Sequence, residues 1–275
     1  MAGCLGLLML VPGCMMHNRM AMLQIRHEPA CVGREPGIVF IVDGAGDFLG
    51  TSIGLRKAAQ QADFPLTLQT VEWHHGYCRV LADHLDREHM QVWGKKLADQ
   101  LIATRWQVGP DVPIYVLAQS GGCPLVLLAA DDLPAGCIDR VVMLAPPCSA
   151  NADLSCLLAC VRETVDVFYS PYDTFILGVC TKVFGTSDGL SDEPAGRVSF
   201  RQPVDEHAKP LYAKLRQHCW HPGMKKFGYD GRHLSCNKPD FLQNYVLPLL
   251  QKGGTIPDPP PEPDIIQVGK NAEVN

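Results

Sequence analysis

The sequence predicts an α/β protein: a mostly parallel sheet with helices on both faces. Two observations predict it. Strand-like and helix-like segments alternate from Gly37 to Leu250. The strand-like ones are near-continuous apolar runs, such as Gly37-Ile-Val-Phe-Ile-Val42, where strands covered on both faces lack the polar alternation of a half-solvated sheet. A chain of 275 residues with 47% hydrophobic side chains suits one large domain of this kind.

In order, the first strand, 37–42, ends in the glycine-rich turn Asp43-Gly-Ala-Gly-Asp47, and a helix follows over 52–61. A strand is expected at 66–73 and a longer helix over 86–105, with Met90, Trp93, Leu97 and Leu101 on one face. The next strand begins at Pro113 and runs into Ala118-Gln-Ser-Gly-Gly122, after which 123–130 reads as helix. Further strands are expected at 138–145, 164–170 and 197–201. Helices are expected at 152–162, 174–184, 205–218 and 239–250. Only residues 148–163 separate two of these strands, which leaves no room for a large lid. From Gln251 the chain is proline-rich and polar, and a disordered tail is expected there. No internal repeat occurs.

The small-x-Ser-x-small pattern around Ser120 carries the chemistry. Small neighbours let a sharp strand-to-helix turn close, lifting the serine hydroxyl above the sheet and aiming the first helical N–H groups at what it attacks. The plainer reading is a βα turn with an N-capping serine. In parallel sheets ligands gather at the carboxyl ends of strands. Two other polar residues are placed there: Asp173, just past the strand expected at 164–170, and His233, in the loop before the last helix. Asp188 and Asp192 are rival acids and His207, His218 and His221 rival bases. Asp173 could instead cap a helix, and His233 could be a loop residue bonded to backbone.

The order Ser120, Asp173, His233, with the glycine turn after the first strand and Gly231-Arg-His before the last helix, resembles the α/β-hydrolase superfamily from Gly37 to about Leu250, starting at that fold's third strand. The resemblance implies a serine hydrolase acting on an ester or similar acyl compound. Ser120 would be the nucleophile, His233 the general base and Asp173 its partner, with oxyanion donors from the N–H groups of Ala45 and Gly121. Many members have His-Gly at the glycine turn. Here Asp43-Gly44 stands there, and Asp43 is read as bracing the turn through backbone N–H groups. Ala118 replaces the first glycine of the usual elbow. Phe48, Leu49, Phe175 and Ile176, each just past a strand end, are candidate pocket walls, or else ordinary helix core.

Two alternatives stand beside this reading. One keeps the fold as a catalytically inactive binding protein. The other places zinc on Cys219, His221, His233 and Cys236, in two close pairs whose spacing fits no common finger. No phosphate loop or dinucleotide fingerprint occurs, so no cofactor is expected. A formal net charge of −5 excludes the basic footprint of a nucleic-acid binder, and no apolar run is long enough to span a bilayer. The expected partner is a small acyl substrate; oligomeric state stays open.

Most of the twelve cysteines are scattered and read as reduced core thiols. Residues 1–36 carry no periodic element. Leu5 to Cys14 contains a short apolar run and Val11-Pro-Gly-Cys14, distantly like a lipoprotein cleavage box, yet no Lys or Arg precedes it. The segment reads either as an export or lipid-anchor signal or as a disordered leader, which leaves localisation between the exported and cytoplasmic cases.

Overall fold

The computed structural model describes residues 37–174, 192–202 and 209–256. The leader, the helix expected at 174–184 beyond its first residue, Asp188, His207 and the chain beyond 256 lie outside the described residues.

Six strands form one sheet in which every pairing is parallel. They are β1 (Ile38–Val42), β2 (Thr67–Thr70), β3 (Ile114–Gln119), β4 (Arg140–Leu144), β5 (Val165–Tyr169) and β6 (Leu215–Cys219), in the order β2-β1-β3-β4-β5-β6. The strand order reverses at β1, so β1 and β3 lie side by side, and at such a point these folds open a crevice at the strand carboxyl ends.

The apolar runs of the sequence divide residue by residue between two cores. Ile38, Phe40 and Val42 face one side, together with Ile114, Val116 and Ala118. There they meet α3 (Arg87–Val108), α4 (Gly122–Ala130) and α5 (Ser155–Cys160). Val39, Ile41, Tyr115 and Leu117 face the other side, against α1 (Gly50–Gln61) and the C-terminal helical run. That run is a helix widened over Leu242–Val246 and tightened again at Leu247–Leu249, rather than the single regular helix expected from 239 to 250. On α3, Met90, Leu97 and Leu101 are buried as their spacing predicts.

Two expectations are corrected. The sequence predicts a strand over 197–201, but Ala195–Val198 is a single helical turn, α6, which follows Pro194 and ends at Ser199 with a positive φ of 72°. The place beside β5 belongs to β6, inside the segment 205–218 read as helix. Leu215-Arg-Gln-His-Cys219 has good helix formers, yet pairing with Val165–Tyr169 completes the sheet edge and overrides that propensity. Within that segment only α7 (Lys209–Tyr212) is helical among the described residues. A short helix that periodicity does not reveal, α2 (Val80–Leu85), precedes α3. Residues 251–256, read as the start of a tail, are placed, and the Gly254 carbonyl accepts from Arg140 at 2.7 Å.

Candidate active site

The site begins at the end of β3. Ser120 has φ 48°, a left-handed backbone that a non-glycine residue adopts at a cost of about 1–2 kcal/mol and keeps only where its surroundings impose it. Those surroundings are visible. Ser120 N–H still donates to Leu144 of β4 at 2.9 Å, as if the strand continued, while its carbonyl already accepts from Cys123 N–H at 2.9 Å, as if the helix had begun. One residue therefore serves both ladders. The turn closes because Gly122 has no side chain: a Cβ there would stand 2.2 Å from the Val42 carbonyl oxygen.

His233 comes from the loop after β6. Trp220 N–H donates to Tyr169 at the end of β5, and its indole N–H donates to the Tyr229 carbonyl at 2.9 Å. Gly231, at φ +88°, lies against the Trp220 ring and Ser170. On the far side Asn237 accepts from the Thr51 hydroxyl at 2.8 Å, and its backbone passes so near Gly54 that a Cβ there would meet its carbonyl at 2.2 Å. The buried Cys236 thiol donates to the His233 carbonyl at 3.0 Å. Burial, together with the nearby Asp173 charge, pushes that thiol well up from its ordinary range.

The result is a chain of hydrogen bonds. The Ser120 Oγ to His233 Nε2 distance is 2.7 Å, and the His233 Nδ1 to Asp173 Oδ2 distance is 2.5 Å. A carboxylate accepts only, so Nδ1 carries the proton and donates; in the neutral ring Nε2 is then the acceptor for the serine hydroxyl. His233 and Asp173 are 5% and 3% exposed, so little water competes for these bonds. Asp173 reaches the imidazole from the turn after β5, where its N–H donates to Ser170.

The glycine turn after β1 brings Ala45 N–H beside the elbow: that nitrogen lies 3.1 Å from the position a Gly121 Cβ would take. Asp43 accepts from Thr51 N–H at 2.8 Å, Ser52 N–H at 3.1 Å and the Ser52 hydroxyl. Its carboxylate is thus committed to the start of α1, where it does the work of a helix cap from eight residues upstream. Burial pushes its carboxyl up, opposed mainly by the Ser52 bonds.

The structure also places residues that the sequence did not single out. Asp83 on α2 is 1% exposed; it accepts from Gly46 N–H at 2.8 Å and from His75 through both its N–H (2.7 Å) and its ring Nδ1 (2.9 Å). Trp73 donates its indole N–H to the Asp43 carbonyl at 3.0 Å. Nothing in the spacing of the chain distinguishes Asp83 from its acidic neighbours, because only the fold buries it.

The rival acid Asp192 is bound elsewhere, by Ser149, Asn151 and the Glu193 N–H. The rival base His218 pairs with Asp166 at 2.8 Å, and burial lowers the His221 pKa. The zinc reading is corrected: both ring nitrogens of His233 are engaged, and Cys219, His221, His233 and Cys236 form no group able to hold a metal among the described residues. Phe48 packs edge-on to Tyr77 and over Gly46, and Leu49 is buried at the start of α1; Phe175 and Ile176 lie outside the described residues. A cavity of about 250 Å³ lies against Gly121, walled by Met90, Pro124, Leu127, Leu128 and Cys148, with Asp83, His84, Arg87 and Gln91 completing it.

No family model and no curated protein matches the chain. Among solved structures it is similar to a cutinase-like protein from Cryptococcus sp., at 15% identity and a TM-score of 0.43 over 82% of this chain and all of that one. Acetyl xylan esterase is similar at 14% identity and a TM-score of 0.36, over 69% of this chain and 83% of the other. Trichoderma reesei cutinase, in complex with a phosphonate inhibitor, is similar at 18% identity and a TM-score of 0.34 over 47% of this chain, which spans 60% of that enzyme's length.

Proposed function

We propose that the protein is a serine hydrolase of the α/β-hydrolase type that cleaves a carboxylic ester of a small acyl group. The observation that carries this reading is the 2.7 Å contact between Ser120 Oγ, held at positive φ, and His233 Nε2. A serine hydroxyl is a poor nucleophile at neutral pH. His233 takes its proton as Oγ bonds to the ester carbonyl carbon, then returns that proton to the departing alkoxide as the carbon–oxygen bond breaks. Asp173 holds the Nδ1–H tautomer and stabilises the imidazolium between these steps. The tetrahedral oxyanion is met by the N–H groups of Gly121 and Ala45, neither of which has an acceptor among the described residues. Water, deprotonated by the same histidine, then cleaves the acyl-enzyme. The cavity beside Gly121 is a little below the usual range of small-molecule pockets and mostly apolar, which favours a short acyl chain over a polar one.

The test is hydrolysis of a panel of p-nitrophenyl esters of increasing chain length, together with labelling by a fluorophosphonate. Wild type is expected to turn over the short esters and to be labelled once, on Ser120. Ser120→Ala and His233→Ala should lose on the order of 10⁵–10⁶ in kcat, and Asp173→Asn about 10⁴, the losses seen when such triads are dismantled. Equal turnover by wild type and Ser120→Ala, with no labelling of folded protein, would leave the inactive binding protein as the better description.

A further inference from the structure

His74, next to the His75 that binds Asp83, is a histidine that the hydrolytic reading leaves unused. His74 lies in the loop after β2 with its side chain 3% exposed, tilted against the Trp73 ring at a centroid separation of 4.4 Å. Its Nε2 is 3.0 Å from the Gly44 carbonyl oxygen. A carbonyl only accepts, so Nε2 carries a proton and donates. The Nδ1 atom faces the Asp47 carboxylate at 3.5 Å.

The carbonyl it holds is not an arbitrary one. Gly44 C=O and Ala45 N–H are the two ends of a single peptide group, which is planar and trans, so they point in opposite directions. Fixing the oxygen on the His74 side fixes the N–H on the other, and on that other side the Ala45 nitrogen lies beside Gly121. A donor on the oxygen also polarises the peptide and strengthens its N–H as a donor. The next two peptides are held as well, the first through Gly46 N–H to Asp83 and the second through Gly46 C=O, which accepts from Cys78 N–H at 2.9 Å. With the Asp43 carbonyl held by the Trp73 indole N–H on the preceding side, the turn is held on both sides of the proposed oxyanion donor, and His74 grips the donor's own peptide.

We infer that His74 is a positioning residue for ester hydrolysis: through Gly44 C=O it orients and polarises the Ala45 N–H that receives the oxyanion. The inference rests on the serine-hydrolase reading. It differs from a general stabilising role in what it predicts. An anchor that only supports the fold alters melting and substrate affinity, whereas one that aims an oxyanion donor alters kcat, because the donor meets its full partner only in the transition state.

The experiment compares wild type, His74→Gln and His74→Asn on p-nitrophenyl acetate, with Ser120→Ala as the baseline and thermal melting as the check on folding. A Gln amide nitrogen falls near the site of Nε2 and can still reach Gly44; an Asn amide stops near Nδ1 and cannot. His74→Asn is expected to lose about 10- to 100-fold in kcat with KM within about twofold, less than losing a donor outright. His74→Gln should stay within about fivefold of wild type. Equal kcat in the two variants, or a change confined to KM, overturns the inference. So does an unprotonated Nε2 in the ¹⁵N NMR spectrum of wild-type protein, a measurement that does not depend on either variant folding. Wild-type turnover above the Ser120→Ala baseline with full kcat in His74→Asn removes this inference alone. Wild type at the baseline removes the hydrolase reading and this inference with it.

Discussion

The Val42 carbonyl oxygen and the Cα of Gly122 are so close that a methyl group on the glycine would stand 2.2 Å from that oxygen. Val42 ends β1 and Gly122 opens α4, so this contact sets how deeply the elbow helix seats on the sheet. The obstacle is backbone, which cannot swing aside as a side chain can. Gly122→Ala is expected to destabilise the fold by about 1–3 kcal/mol as the helix backs away. The same retreat moves Ser120, so kcat should fall further than stability alone explains. Denaturant midpoints and ester kinetics on one preparation check both. A variant as stable and active as wild type would mean that the elbow has slack.

Much of this architecture was legible beforehand, and where reading failed the reason is specific. β1 and β4 are specified by local apolar runs that suit a strand buried on both faces, and the sharp turn at Ser120 by the small residues around it, while the spacing of Ser120, Asp173 and His233 follows from the βα units between them. β6 was hidden because Leu215-Arg-Gln-His-Cys219 is a polar edge strand, made a strand by its neighbour β5 and not by its own residues. The walls of the cavity were missed for a related reason. Met90, Leu127 and Leu128 read as helix core, and only the packing of α3 on α4 shows that a space is left between them and Gly121.

Asp43 offers a test through pH. Its carboxyl is pushed up by burial, with the Ser52 bonds opposing. A carboxyl whose folded pKa exceeds its unfolded value binds its proton more tightly in the folded state. Its contribution is then fully present below the unfolded pKa and is lost as pH rises through the folded one. Asn at this position resembles the protonated form and does not titrate. The stability of wild type relative to Asp43→Asn is therefore expected to decline from about pH 4 upwards, levelling off above the raised value. Urea unfolding of both proteins across that range measures it. A gap that widens in favour of wild type with rising pH would show that the three hydrogen bonds outweigh the burial cost.

The cavity against Gly121 supplies a prediction about chain length. Leu127 is half-buried on α4 and forms part of its wall. Enlarging it to Phe takes up space where the acyl tail of a bound ester would lie. Leu127→Phe is expected to lower kcat/KM for the butyrate ester about 10-fold while leaving the acetate ester within about twofold, since each methylene in such a pocket is worth about 1–3 kcal/mol. The ratio of the two rates is the measurement, because it cancels any loss common to both. An unchanged ratio would place the acyl chain elsewhere.

At the other end of the strands, Arg140 tests what holds the C-terminal run in place. Its side chain is 3% exposed, and it donates to the carbonyls of Leu249 and Gly254 at 3.0 and 2.7 Å and to Glu163 at 2.7 Å. Its Nε lies 3.8 Å from Asp166, a fully buried carboxylate. Removing the guanidinium takes a nearby cation from that carboxylate, which keeps its bonds to His218 and the Thr164 hydroxyl, and leaves two buried carbonyls without a donor. Arg140→Ala is expected to cost about 3–5 kcal/mol, the range for breaking a buried pair by deleting one partner. Arg140→Met, which fills the volume, should recover part of the packing but not the carbonyl bonds. The loss should also be local in its first effect: residues 239–256 cover the face of the sheet that carries Leu117 and Tyr115, so proteolytic nicking there should precede global unfolding. Limited proteolysis followed by mass measurement would locate the first cut. A first cut in α3 instead would mean that the clamp contributes nothing particular to the C-terminal run.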